Sequence, residues 1–302
     1  MRWGAFYWIV NMSICGAVVG GVVFLIGKIS RIPRKVQCIL WGIPFLRMWI
    51  PFGIQNPYSL MTLIAGFTAK SVTVVNDTIP VSAMNFVMQA ESYFPIQYKT
   101  PELAWVFRVA GILWAVLAAA LLLALLLCYG ATKAELRDAC HIGDNMYLSE
   151  KILSPAVYGI FRPRILIPTA WAQKDLKYVQ MHENSHIRRK DNLWRTLAVT
   201  TACVHWFNPF SWVFLKTFLE TLELACDEAV LDRCEQEESK AYAAALLDCA
   251  ESKHIYASAF GGASVRIRIE KILSYKKLSV FSMCVFGILV LAVGYVLLTN
   301  AG

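Results

Sequence analysis

Charge is scarce in this sequence. Only 17% of the 302 residues are Asp, Glu, Lys or Arg, against 57% hydrophobic, whereas soluble domains carry about a quarter charged residues. The shortage is concentrated in runs. No charge occurs from Trp3 to Gly27, from Val109 to Thr132 or from Leu278 to Gly302, and each run is long enough to cross a hydrocarbon core, which takes about 20 helical residues. A cytosolic soluble protein is excluded. A cleaved leader is not expected either, because the first run is too long for a leader core and has no compact small-residue cleavage site. Charged residues within the runs, which a channel or transporter needs along its pathway, are nearly missing; Arg47 and Arg108 stand at segment ends.

Paired cysteines are lacking too. The nine cysteines (15, 38, 128, 140, 203, 226, 234, 249 and 284) form no CxxC, so they read as reduced packing thiols and not as a disulfide framework. There is no repeat and no low-complexity tract. The net charge of +8 traces to membrane anchoring, not to nucleic acid. The loop "KISRIPRK" holds Lys28, Arg31, Arg34 and Lys35 with no acid, and the segment from Lys133 to Lys277 is nearly balanced in sign. By the excess of Lys and Arg in short cytoplasmic loops, the N-terminus is external and the long segment cytoplasmic.

The expected organisation is a mainly α, multi-pass membrane protein. Residues 1–54 hold the first span, the basic loop and a weaker span candidate over 36–54 interrupted by Pro44 and Arg47. Residues 55–104 form an external connection, 105–128 the next span, 129–278 a cytoplasmic domain and 279–299 the last span. The third span continues as a helix through "ATKAELRDAC", followed by a turn-prone "HIGDN". "MYLSEKILSPAVYGIFRPRILIP" alternates β-branched and aromatic residues with Ser-Pro, Gly and Arg-Pro breaks, predicting two or three short strands. Such a sheet offers an edge to an extended peptide or simply braces a helix. Helices are expected from Ala172 to about Leu193, on either side of Asn208-Pro209, over Glu220–Cys234, and over "ESKAYAAALLDCAESK" and "SVRIRIEKILSYKK".

Histidine is rare, five in all, yet two fall four residues apart in "MHENSHIRRKDNLW", residues 181–194. At 3.6 residues per turn, His182 and His186 share a helix face and both imidazoles can reach one zinc ion. Glu183 sits beside the first, placed to take a proton from the attacking water. A catalytic zinc needs a third protein ligand. Position 192 is Asn, which removes a histidine there. Glu223 in "ELACD" is the better candidate, since 37 residues after His186 leave room for a second helix to return. His205 is a rival, although a lone histidine beside Trp206 in an apolar run is commonly a satisfied core residue. Asp227, one turn beyond Glu223, could accept a hydrogen bond from a ligand ring. Glu220 and Glu228 read as solvated. His254, Arg266 and Arg268 are the cationic candidates for oxyanion support, each equally readable as a surface or lipid-headgroup residue. The run Arg188–Lys190 reads as a solvated face or a contact with anionic lipid.

Taken together, "HENSH", "ELACDEAVL", "SPAVYGIFRPRILIP" and "WFNPFSW" resemble the BlaR/MecR-type membrane zinc metallopeptidases, the signal-transducing proteases of bacterial β-lactam sensing. The resemblance covers nearly the whole chain. It implies a cytoplasm-facing, gluzincin-like α+β domain between the third and fourth spans. It implies one Zn2+ per chain on His182, His186 and Glu223, with Glu183 as catalytic base and Asp227 supporting the site. The implied activity is cleavage of a protein regulator, often a transcriptional repressor, and of the chain itself. Membrane lipid is an expected partner, direct nucleic-acid binding is not, and self-association stays open. The antibiotic sensors carry an external penicillin-binding domain after the last span. This sequence stops at Gly302, so sensing by β-lactam acylation is not expected. A receptor or scaffold that keeps the metal but no longer cuts is the alternative; the intact Glu183 argues against it.

Overall fold

A computed structural model describes residues 5–29, 31–50, 54–62, 101–235, 237–251 and 265–301. The expectations for His254 and for most of the external connection, 63–100, lie outside the described residues. Among the described residues four apolar helices form the frame: α1 (Ala5–Gly27), α2 (Arg34–Trp49), α3 (Pro101–Glu135) and, late in the chain, α9 (Val280–Leu298). Of these, α1, α3 and α9 are long and apolar enough to cross a membrane. Only 6% of the apolar stretch in α3 and in α9 is buried, against 44% in α1. Thus α1 lies within the bundle, while α3 and α9 turn apolar side chains outward.

Of the candidate span over 36–54, residues 51–53 lie outside the described residues. α2 has 16 residues, about 24 Å at 1.5 Å per residue, short of the ~30 Å hydrocarbon core. Its N-terminus is capped from far along the chain: the Glu228 carboxylate accepts the N–H groups of Arg34 and Lys35 at 3.0 and 3.1 Å. Those are helix-end amides that lack a partner within the helix, so Glu228 is not the solvated residue expected. At the other end Arg47 is buried and donates to the Leu298 carbonyl at 3.0 Å and to Asn300 Oδ1 at 2.6 Å. A two-residue parallel pairing of β1 (Gln55–Asn56) with β6 (Asn300–Ala301) completes that junction.

The segment between α3 and α9 begins with a four-stranded sheet, order β2-β3-β5-β4: β2 (Cys140–Gly143), β3 (Met146–Ser149), β4 (Ala156–Tyr158) and β5 (Arg164–Pro168). The turn-prone "HIGDN" is therefore partly strand. Gly143 (φ 150°) and Asp144 (φ 42°) make the tight connection between β2 and β3. β4 is an edge strand, tied to α3 by Tyr158, whose hydroxyl donates to the Tyr129 carbonyl at 2.6 Å. After it the chain turns at Gly159 (φ 101°), where a Cβ would lie 2.7 Å from the Arg162 carbonyl oxygen.

Five helices follow among the described residues: α4 (Lys177–Arg189), α5 (Asp191–Val204), α6 (Pro209–Leu231), α7 (Glu238–Glu251) and α8 (Val265–Leu273). The predicted single helix to Leu193 is broken. α4 stops at Lys190 in the left-handed conformation (φ 57°), and α5 starts at once in a new direction. The predicted break at Asn208-Pro209 is present: Asn208 caps α6 by accepting from the Phe210 N–H at 3.0 Å, and Pro209 fills a first-turn position that needs no donor. Glu220 does not begin a new helix, because α6 runs unbroken to Leu231. The α5–α6 hairpin packs into the frame, with Asn208 donating to Ser13 Oγ at 2.8 Å and Phe214 seated on Gly20 of α1. Trp41, Phe214, Phe218 and Leu222 lie in the main core; Ile165, Ile167, Trp171 and Val179 hold the sheet against α4.

Candidate metal centre

α4 starts without a side-chain cap at Leu176, but Asp175 one residue earlier accepts the Lys177 N–H at 2.9 Å. Its buried face carries Val179, His182, Glu183 and His186. The helical period brings the imidazoles edge to face, centroids 4.7 Å apart, with their Nε2 atoms 3.1 Å from each other. α6 crosses α4 and brings up Glu223, whose Oε2 is 3.7 Å from His182 Nε2 and whose Oε1 is 3.8 Å from His186 Nε2. Bonds of about 2.0–2.1 Å around a tetrahedral metal put neighbouring donor atoms about 3.3 Å apart. The two Nε2 atoms and the Glu223 carboxylate therefore fit one ion.

Cys226, a turn beyond Glu223, is also close, and His182, His186 and Cys226 form a set with metal-ligand spacing. Its Sγ approaches His182 Nδ1 at 3.6 Å, the ring edge opposite the facing Nε2 atoms. Burial pushes the Cys226 thiol well up, and the carboxylates of Glu223, Asp227 and Asp191 push it further. Glu223 behaves oppositely. Burial opposes its charge, but His186 and His182, with the Arg195 and Arg268 guanidiniums, hold its carboxyl well below the usual range. The Glu223 carboxylate thus faces both Nε2 atoms, whereas the Cys226 sulfur lies at the Nδ1 edge of His182.

Each imidazole is held on its Nδ1 side. His186 Nδ1 is 2.7 Å from Asp191 Oδ2. The left-handed turn at Lys190 folds Asp191 back onto the helix it follows, and Arg189 Nε steadies it at 3.2 Å. His182 Nδ1 is 2.8 Å from the Tyr242 hydroxyl, which donates to Asp227 Oδ1 at 2.6 Å. Asp227 lies 3.4 Å from His182 Nδ1, so the shorter link runs through Tyr242. Arg268 grips Asp227 with two bonds of 2.7 and 2.8 Å and reaches Glu223 Oε2 at 3.4 Å. It is a buried clamp, which removes the surface or lipid-headgroup reading of it, whereas Arg266 is exposed and paired with Glu270. His205 is buried against the Met48 carbonyl at 3.1 Å. Arg188 and Lys190 are exposed while Arg189 turns inward.

A cavity of about 190 Å³ opens over this centre, lined by His182, Glu183, His186, Glu223 and Tyr242 and, on the opposite side, by Ala156 and Val157 of β4. Glu183 is 7% exposed at its wall. The edge strand is fixed by Asn192, which donates to the Val157 and Gly159 carbonyls at 3.2 and 2.9 Å. Asp191, Tyr242 and Asn192 carry no local sequence signal for this role.

A family model described as BlaR1 peptidase M56 matches residues 7–272. The chain is 36% identical over 86 residues to the regulatory protein BlaR1 of Bacillus licheniformis, covering 28% of this chain and 14% of that protein. It is 29% identical over 113 residues to a methicillin resistance mecR1 protein of Staphylococcus aureus, covering 35% and 19%. It is 24% identical over 161 residues to the regulatory protein BlaR1 of Staphylococcus aureus, covering 48% and 28%. The matches thus span less than a third of these relatives' length.

Proposed function

Because the chain belongs to the BlaR1 peptidase M56 family, we propose that it is a membrane-embedded zinc metalloendopeptidase that cleaves a protein regulator. His182, His186 and Glu223 hold the ion and Glu183 is the general base. The observation that carries the reading is the convergence of both Nε2 atoms, 3.1 Å apart, with the Glu223 carboxylate under a cavity bordered by Glu183. Zinc, when bound, supplies Lewis-acid polarisation of the scissile carbonyl and a more acidic water.

The chain's own residues do the rest. Glu183 accepts a proton from the attacking water and passes it to the leaving amine. Asp191 and Tyr242 hold the imidazoles through their second nitrogens, an arrangement that fixes tautomer and ring orientation; Asp227 acts through Tyr242. The β4 edge, steadied by Asn192, receives the substrate as an added extended strand. The substrate class is a cytoplasmic regulator such as a transcriptional repressor, with cleavage of the chain itself as a second event. The peptidase segment is cytoplasmic and the N-terminus external, a reading supported by the basic loop Lys28–Lys35.

Full-length protein in lipid nanodiscs, compared with Glu183→Gln, tests this. The variant is expected to keep its zinc and to lose at least about a hundredfold in cleavage rate; undiminished proteolysis by the variant overturns the assignment. Quantitative proteomics of cells expressing each form identifies the substrate as a protein that accumulates uncut.

A further inference from the structure

The cavity over the metal centre holds a cation that the proposed mechanism does not use. Arg195 lines it, and the turn that builds the site also puts it there. Left-handed Lys190 starts α5 in a new direction, and residues four apart on a helix share a face. Asp191 in the first turn meets His186 Nδ1. Arg195, one turn on, meets Glu223, donating from Nη2 to Oε1. Oε1 is the oxygen that faces His186 Nε2, and Arg268 reaches the other oxygen, Oε2. The Arg195 guanidinium therefore borders both the ligand carboxylate and the space where a substrate lies.

Peptide hydrolysis needs a group to hold negative charge there. As the water oxygen bonds to the scissile carbonyl carbon, the carbonyl π pair moves onto its oxygen and Glu183 takes the water's proton. When that pair returns, the C–N bond breaks and the amine nitrogen leaves with the proton from Glu183. A fixed donor beside the carbonyl oxygen stabilises the charge in between. Most side-chain donors on the cavity wall are committed elsewhere. The Tyr242 hydroxyl goes to Asp227 and that of Tyr178 to Glu238. Arg268 is 7% exposed and spends two bonds on Asp227. Ser154 also lines the cavity, but a charged donor makes a bond about twice as strong as a neutral one. Arg195 has a side chain 35% exposed. Among the described residues its Nη2 is bonded to Glu223, and Nε and Nη1 have no partner.

We propose that Arg195 is a catalytic residue, donating to the scissile carbonyl oxygen as that oxygen becomes negative and keeping its own protons throughout. Arg195 has this role only if the chain is a peptidase, as proposed above. The bond to Glu223 anchors the planar fork, and its remaining N–H groups serve the substrate. Recognition of an acidic substrate side chain by the same guanidinium would act on a charge that does not change during the reaction, and so on KM alone.

The test uses full-length protein in nanodiscs and the quenched-fluorescent peptide that wild type cuts fastest in a random library. A phosphinic analogue of that peptide, tetrahedral and anionic at the cut bond, copies the charge that forms there. In Arg195→Gln, kcat is expected to fall about a hundredfold or more with KM little changed and zinc content at the wild-type level. Affinity for the phosphinic analogue should fall by the same factor as kcat/KM. Arg195→Lys, which keeps the charge without the fork, should lie between Arg195→Gln and wild type. Unchanged kinetics, a rise in KM alone, or loss of zinc in step with kcat each overturns the proposal; the last would make Arg195 a support for Glu223. If wild type cuts no library peptide, the peptidase reading falls and takes this role with it, whereas wild-type cleavage matched by Arg195→Gln removes the role alone.

Discussion

Tyr242 and Asp191 each take the Nδ1 side of one imidazole, so that Nε2 faces the other ring and Glu223, with Arg268 Nη2 at 3.3 Å from His182 Nε2. Loss of such a partner typically weakens metal binding about 10–100-fold. Tyr242→Phe and Asp191→Ala are therefore expected to lower zinc affinity within that range, measured by competition with a chromogenic chelator, while leaving the helices intact by circular dichroism. Cys226 makes a different prediction. Its thiol is held protonated by burial and then by the carboxylates around it. At about pH 8, near an ordinary thiol's pKa, iodoacetamide should leave Cys226 unmodified in the folded chain while the exposed Cys140 reacts; peptide mass spectrometry reads both. The histidine pair was legible in the sequence because four-residue spacing maps directly onto one helix face. Tyr242 was not: it comes from 60 residues further along and meets His182 only through the packing of α7 on α4, which no local pattern announces.

The helix break at Lys190 and the bend at Gly159 make the site at the level of elements. Lys190 adopts a left-handed backbone that disfavours a side chain by roughly 1 kcal/mol, yet the turn is what presents Asp191 to His186. Lys190→Gly is expected to raise the midpoint of thermal unfolding, and Lys190→Val to lower it. At Gly159 both the positive φ and the Arg162 carbonyl exclude a side chain. Gly159→Ala should cost about 1–3 kcal/mol of local strain and displace the β4 edge, reducing kcat/KM for a peptide substrate while zinc content stays at wild-type level. The left-handed turn escaped the sequence reading because its residue is Lys, where Gly or Pro would have marked it. The unbroken α6 escaped because the composition changes at Glu220 from aromatic to acidic, although the buried stripe continues through Phe214, Phe218, Leu222, Ala225 and Cys226. The Asn208-Pro209 junction was legible, since Asn as cap and Pro in the first turn are an ordinary helix start.

For the whole molecule, the charge-free runs at both ends of the chain carry the membrane reading, and the outward apolar faces of α3 and α9 agree with it. The orientation proposed from the basic loop predicts that a membrane-impermeant maleimide labels Cys140 only after cells are permeabilised; labelling of intact cells would reverse it. The central claim is that one ion sits among two Nε2 atoms and the Glu223 carboxylate, with the Cys226 thiol on the far edge of His182. Metal content of the purified full chain, measured by inductively coupled plasma mass spectrometry for wild type, Glu223→Gln and Cys226→Ala, tests it most directly. Wild type and Cys226→Ala are expected to carry about one zinc per chain and Glu223→Gln to carry almost none. Zinc retained by Glu223→Gln and lost by Cys226→Ala would contradict the account.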